Sequence, residues 1–230
     1  ATLNDMRNSA GREKLVNQPG HISRSSMMAA LKSHDPITEL RSHLDTCPEC
    51  WNTWVDVRWQ IAESHPDYPA LQTFWQGPLR RPDASRELAL EWTSQPRDTA
   101  TAIREFYKQT PWYVPNLFVW AHSQQRPDYV DIATSVLQQY QASRIVDFGC
   151  GIGNDSIRLA RAGYRVEALD LNRHCREFLC ALVAAESSIQ PLINVGEDLA
   201  QATDFDTLWA VDVVEHLTEP SEVLGPLVDR

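Results

Sequence analysis

Two groupings hold the residue types of this chain that could do chemistry. In Asp147-Phe-Gly149-Cys150-Gly151-Ile-Gly153, three glycines alternate behind a carboxylate. With no Cβ in the way, such a turn lets backbone amides approach a nucleotide-like ligand closely. The dinucleotide spacing Gly-x-Gly-x-x-Gly is not met, because its third place, counted from Gly149, is Asn154. A phosphate-cradling turn ending in Gly-Lys-Ser/Thr is excluded as well, since no lysine lies near. The other grouping is His43-Leu-Asp-Thr-Cys47-Pro-Glu-Cys50. Two cysteines separated by two residues can present two sulfurs to one ion, and a histidine one helical turn earlier can add an imidazole.

The elements that must position the glycine turn can be read around it. Ile145 and Val146 form a buried strand that runs into the turn, and Asp155 to Arg161 form the helix that leaves it. Arg165 to Asp170 reads as a second strand with Asp170 at its end, where a carboxylate can accept both hydroxyls of a ribose. Phe178, Leu179, Leu182 and Val183 recur at helical spacing within Arg173 to Ser187. Pro191 to Val195 is a third strand, followed by Glu197 and Asp198, and a fourth lies within Asp204 to Leu217. Ahead of the first strand, Asp128 to Gln141 is an amphipathic helix with Val130, Ile132, Ala133, Val136, Leu137 and Tyr140 on its apolar face.

This order of segments resembles the class I S-adenosylmethionine (SAM) dependent methyltransferases. The likeness rests on Asp147-x-Gly-x-Gly-x-Gly153, Asp170, the acidic pair Glu197-Asp198, and Val213-Val214-Glu215-His216 after the fourth strand. It implies an α/β fold with a Rossmann-like, mostly parallel sheet and SAM as cofactor. Asp147, Gly149, Cys150, Gly151, Gly153, Asp170 and Leu171 would hold SAM, with Asp212 on the fourth-strand loop. Glu197 or Asp198 would meet the adenine amino group. Glu215, His216 and Tyr113, with Tyr107, are the candidates to act on a protonated small-molecule acceptor. Cys150 reads as a small turn residue rather than a nucleophile, because nothing basic flanks it. The resembling fold has seven strands and this sequence supplies four, so a longer parent protein is expected, with the fourth strand as an exposed edge.

The cysteine grouping, set between two helical stretches, resembles the zinc-binding domain of anti-sigma factors over residues 21–63. Asp35 and Pro36 start the helix entering His43, and Trp51 to Glu63 is the helix that follows. The resemblance implies a structural Zn2+ ion on His43, Cys47 and Cys50, with a fourth ligand near the start of a preceding helix. His21, ahead of the helical stretch Ser25 to Lys32, is the first choice and His34 the second. The family often has cysteine there, and no cysteine precedes Cys47. Such a small all-helical domain would dock a protein partner. A thioredoxin-type redox motif would need a surrounding βαβ pattern, which is missing.

Between the two lies a Pro- and Trp-rich linker or helical cap. Proline follows His65, Tyr68, Gly77, Arg81 and Gln95, Ala100 to Lys108 is a helix, and Trp112, Tyr113, Phe118 and Trp120 cluster behind it. Those aromatics would cover cofactor and substrate, or pack against the sheet. The expected divisions are a flexible segment 1–20, the zinc-binding domain 21–63, the linker 64–127 and the partial methyltransferase domain 128–230. Formal net charge is −10, and residues 144–230 hold 7 basic and 15 acidic side chains, which disfavours nucleic acid as a substrate. No apolar run approaches the roughly 18 residues of a membrane helix. The polar amino-terminal residues lack a secretion-type core, so a cytoplasmic location is expected.

Overall fold

The computed structural model describes residues 16–18, 20–33, 38–75, 81–96, 98–198, 202, 204–217 and 219–228. They divide into two compact units. One holds the described residues up to Tyr68 together with 81–82 and 119–127; the other holds 69–75, 83–118 and those from Asp128 onward.

In the first unit, strands β1 (Val16–Gln18) and β2 (His21–Ile22) pair antiparallel, with Val16 opposite Ile22. The turn between them uses Gly20 at φ 100, a conformation costly for any residue with a Cβ. This hairpin adds two short strands to a domain expected to be all-helical. Helices α1 (Arg24–Ser33), α2 (Thr38–Leu44) and α3 (Pro48–Ala62) follow. The expected helix start at Asp35-Pro36 lies outside the described residues. α3 begins at Pro48, whose missing N–H costs nothing in a first turn. Met27, Leu31, Leu40, Leu44, Trp54 and Val57 form the core, each large side chain contributing about 1.5–3 kcal/mol by leaving water. Trp59 is buried and its indole donates to the Pro82 carbonyl at 2.9 Å. Arg81 pairs with Glu63 and Asp56 across the outer face of α3.

The second unit is built on a four-stranded parallel sheet of order β5-β4-β3-β6. Its strands are β3 (Arg144–Phe148), β4 (Arg165–Leu169), β5 (Ile193–Gly196) and β6 (Thr207–Trp209). The helices in chain order are α4 (Tyr68–Trp75), α5 (Ala84–Ser94), α6 (Ala100–Gln109), α7 (Tyr113–His122) and α8 (Tyr129–Gln139) ahead of the sheet. Then come α9 (Asn154–Arg161), α10 (Arg173–Ala185) and α11 (Pro220–Val228). The segment 64–127 is thus helical for much of its length and is shared between the units, with α7 crossing from one to the other. Asp83, Thr99 and Asp128 each cap a helix by accepting an amide three residues on.

β3 lies inside the sheet, with Asp147 opposite Ala168 on one side and Trp209 on the other. Its residues 145–147 are all buried, as expected of a parallel strand covered on both faces. Ile145, Ile157, Leu159, Val166, Ala168, Leu179, Val183 and Trp209 make the core. β5 begins at Ile193 rather than Pro191, because the Leu192 N–H closes a turn on the Ile189 carbonyl. β6 forms one edge of the described sheet. The strand order reverses beside β3, so its carboxyl end opens at a topological switch point, where open α/β sheets take their ligands.

Candidate functional site

The glycine turn occupies that carboxyl end. Gly149, Gly151 and Gly153 adopt φ 73, 55 and 80. A Cβ on Gly149 would stand 2.3 Å from Val213 Cγ2, and one on Gly153 2.2 Å from Leu179 Cδ1. Space and conformation both demand glycine. The Gly149 and Cys150 amides donate to the Leu169 carbonyl at 2.8 and 3.1 Å, fastening the turn to the end of β4. Asp147 is buried and accepts from Ser156 Oγ at 2.5 Å, which ties β3 to the first turn of α9. Burial, followed by the charges of Asp170 and Asp147, pushes the Cys150 thiol well up, as suits a turn residue and not a nucleophile.

Asp170 follows β4 and faces the turn. Its Oδ2 accepts from the Gly151 amide and its Oδ1 from the Asn172 amide, each at 2.7 Å. Burial raises its carboxyl above the usual range, while those two amides and Arg176 act in the opposite direction. Two bonds take about half of a carboxylate's acceptor positions, leaving capacity for a diol. Arg176 Nη1 donates to the carbonyls of Asp170 and Leu171 at 2.6 and 2.8 Å, and its Nη2 reaches Glu197 Oε2 at 2.9 Å. Lys108 Nζ meets Glu197 Oε1 at 2.7 Å and holds that carboxyl below its ordinary value. Of the acidic pair after β5, Glu197 is therefore engaged by two cations, and Asp198 is exposed.

Buried Asn172 fixes the aromatic wall. Its Nδ2 donates to the Tyr107 and Thr110 carbonyls at 2.8 Å each, and its Oδ1 accepts from Cys175 N at the start of α10. The Tyr107 ring stacks on Tyr113 at 5.9 Å and stands 6.0 Å from His216. Burial, then Tyr107, Cys175 and Asp170, push the Tyr113 hydroxyl well up, so it stays a phenol and can orient or donate rather than act as a base. Glu215 and His216 lie in the short 3-10 turn Val214–His216, and both are exposed. Asp212 is exposed as well, at φ 55. The aromatics expected as a cap part company. Trp112 packs on Trp75, Phe118 is buried against Phe178, and Trp120 belongs to the other unit under Arg126.

In the first unit a ligand atom from each of His21, Cys47 and Cys50 lies within 4.8 Å of the others. His21 Nδ1 is 3.5 Å from Cys47 Sγ and 3.6 Å from Cys50 Sγ, and His43 Nε2 approaches Cys50 Sγ at 3.3 Å. A tetrahedral ion about 2.3 Å from sulfur and about 2.0 Å from nitrogen separates the two by about 3.5 Å, so these spacings fit Zn2+. An outer layer is present too. Glu49 Oε2 lies 3.3 Å from the other ring nitrogen of His21, and the Ile22 amide donates to Cys50 Sγ at 3.3 Å. His34 lies outside the described residues.

Sequence reasoning missed Asn172, Lys108, Arg176, Ser156 and Glu49. Asn172 stands just before a helix, a capping signal that could have drawn attention to it. The others act through partners distant in sequence or unmarked by any motif.

Residues 120–228 match the family described as a methyltransferase domain. The YqeM protein of Bacillus subtilis (strain 168), a methyltransferase by name, is 38% identical over 66 residues, covering 29% of this chain and 26% of that protein. A ubiquinone biosynthesis O-methyltransferase of Xanthomonas oryzae pv. oryzae (strain PXO99A) is 34% identical over 103 residues, or 43% of this chain and 41% of that enzyme. Its counterpart in Xanthomonas campestris pv. campestris (strain B100) is 33% identical over the same length and shares. The chain thus spans about a quarter to two-fifths of the length of these curated relatives. No solved structure matches it. The matched stretch contains the parallel sheet and its ordered motifs.

Proposed function

We propose that the protein is a class I, SAM-dependent methyltransferase acting on a small-molecule acceptor, with a structural Zn2+ ion in its helical amino-terminal unit. The observation that carries the first part is the meeting of Asp170 with the Gly151 amide at the switch point of the sheet. A half-buried carboxylate at a strand end, beside a turn that tolerates no Cβ, suits a ribose diol attached to a bulky nucleoside.

When bound, SAM supplies a methyl group on a sulfonium leaving group. The residues here would orient and desolvate rather than form covalent bonds. Asp170 would accept the ribose hydroxyls, and Glu197 or Asp198 would face the adenine amino group. Tyr107, Tyr113 and His216 form an aromatic wall against which a flat acceptor could rest. His216, exposed at its end, would take a proton from an acceptor hydroxyl, with the Tyr113 phenol as a donor. Glu215 is the alternative base. The relatives named for O-methylation in ubiquinone biosynthesis favour an oxygen acceptor.

Transfer of labelled methyl from SAM to a panel of small hydroxylated and amino compounds, beside protein and nucleic acid, tests this reading. Label is expected on a small molecule alone. Label on nucleic acid or protein would overturn the substrate class.

The cluster of His21, Cys47 and Cys50 favours a second reading, a zinc-held partner-binding module coupled to a ligand-sensing α/β unit. Stoichiometric zinc in the purified protein supports its premise, and free thiols without zinc remove it. A cytoplasmic setting suits both readings, and among the described residues no helix is long and apolar enough to cross a membrane.

A further inference from the structure

The first unit gathers another set of chemistry-bearing side chains, apart from the cysteines. His65 sits in the turn after α3, its N–H on the Ala62 carbonyl at 3.0 Å, and His122 is the last residue of α7. Their imidazoles stack with centroids 3.6 Å apart and planes 19° from parallel. Asp67 completes the set, with Oδ2 3.6 Å from His65 Nδ1. One ring nitrogen of each histidine and a carboxylate oxygen lie within 4.8 Å of one another.

Two imidazolium ions would repel strongly across so short a stack, so the arrangement requires at least one neutral ring. A ring that is neutral at physiological pH offers its lone pair with no proton to displace. Asp67 brings the negative charge that offsets part of a cation's charge. Two imidazoles and one carboxylate suit Zn2+ and related first-row ions, whereas Ca2+ and Mg2+ prefer oxygen alone.

Ligation at about 2.0–2.1 Å from each nitrogen needs ligand atoms roughly 3.3 Å apart, closer than the outer limit of the present set. Turning one imidazole about its Cβ–Cγ bond, a torsion with broad wells, changes that spacing and breaks the stack.

We propose that His65, Asp67 and His122 form a second, thiolate-free site for a divalent first-row transition ion, tying the end of α7 to the turn after α3. It is independent of the methyltransferase reading and shares no ligand with the cysteine cluster.

Cobalt titration of the metal-free full chain, followed by absorption and by equilibrium dialysis, tests the proposal. Two ions per chain are expected, one with thiolate-to-cobalt charge-transfer bands and one with ligand-field bands only. His65→Gln and His122→Gln should each weaken the second ion at least tenfold and leave the charge-transfer bands intact. Asp67→Asn, a change of nearly the same shape that spares the stack, should also weaken it and serves if the histidine variants fail to fold. No ion with ligand-field bands alone, or such an ion indifferent to Asp67→Asn, would overturn the proposal.

Discussion

The sheet-bearing unit and the helical unit would hold a ligand in opposite ways. In the former, backbone does most of the work. Glycines at positive φ, the amides of Gly151 and Asn172, and the end of β4 shape the site, and Asp170 is the one acid turned toward it by two amides. In the latter, side chains converge from separate segments, His21 from β2 and Cys47 and Cys50 from the start of α3, with His43 of α2 against Cys50. A backbone-built site survives only if its turn folds, whereas a side-chain-built site needs its ion to hold the convergence.

The largest contrast should appear on chelation. Structural zinc contributes on the order of 10 kcal/mol in small domains. Stripping the metal, or replacing Cys50 with serine, is therefore expected to unfold or loosen the helical unit and leave the sheet unit's unfolding transition in place. Denaturant unfolding followed by the tryptophans of each unit would show it. Identical transitions with and without metal would break the contrast.

The reciprocal perturbation is Gly153→Ala. At φ 80 and with Leu179 Cδ1 2.2 Å from the new Cβ, backbone strain and overpacking together should cost about 2–5 kcal/mol. Gly163→Ala, at φ 97 with nothing within 4 Å, isolates the conformational part at about 1–2 kcal/mol. Urea midpoints that do not separate the two would show that Leu179 gives way easily. Next in size is Asn172→Ala, which removes a helix cap and strands the Tyr107 and Thr110 carbonyls, for about 2–4 kcal/mol.

That ordering also explains what could be read from the sequence. The strands, the turn and α9 were legible because apolar runs and alternating glycines are local signals. Asn172 went unnoticed, because its bonds to residues 107 and 110 depend on a fold that sequence periodicity does not encode. The Lys108–Glu197 pair and the His65–His122 stack were hidden for the same reason. A two-residue strand such as β2 has no period to detect.

A smaller effect is expected from pH. His122 has an ordinary value of 6.5 and is held down to about 3 when folded. Between those limits the unfolded chain binds the extra proton, so stability falls as pH drops through that window, by up to about 1.4 kcal/mol per unit. Denaturant titrations of metal-free protein at pH 7 and pH 5 should show this slope, and His122→Phe should flatten it. An unchanged slope in the variant would assign the acid sensitivity to other groups.

Calorimetric titration of the full chain with SAM, beside the Asp170→Ala variant, tests the central claim most directly. The account predicts saturable binding that weakens at least tenfold, about 1.4 kcal/mol, in a variant whose circular dichroism is unchanged. No binding by the unaltered chain, or equal binding by the folded variant, would contradict it.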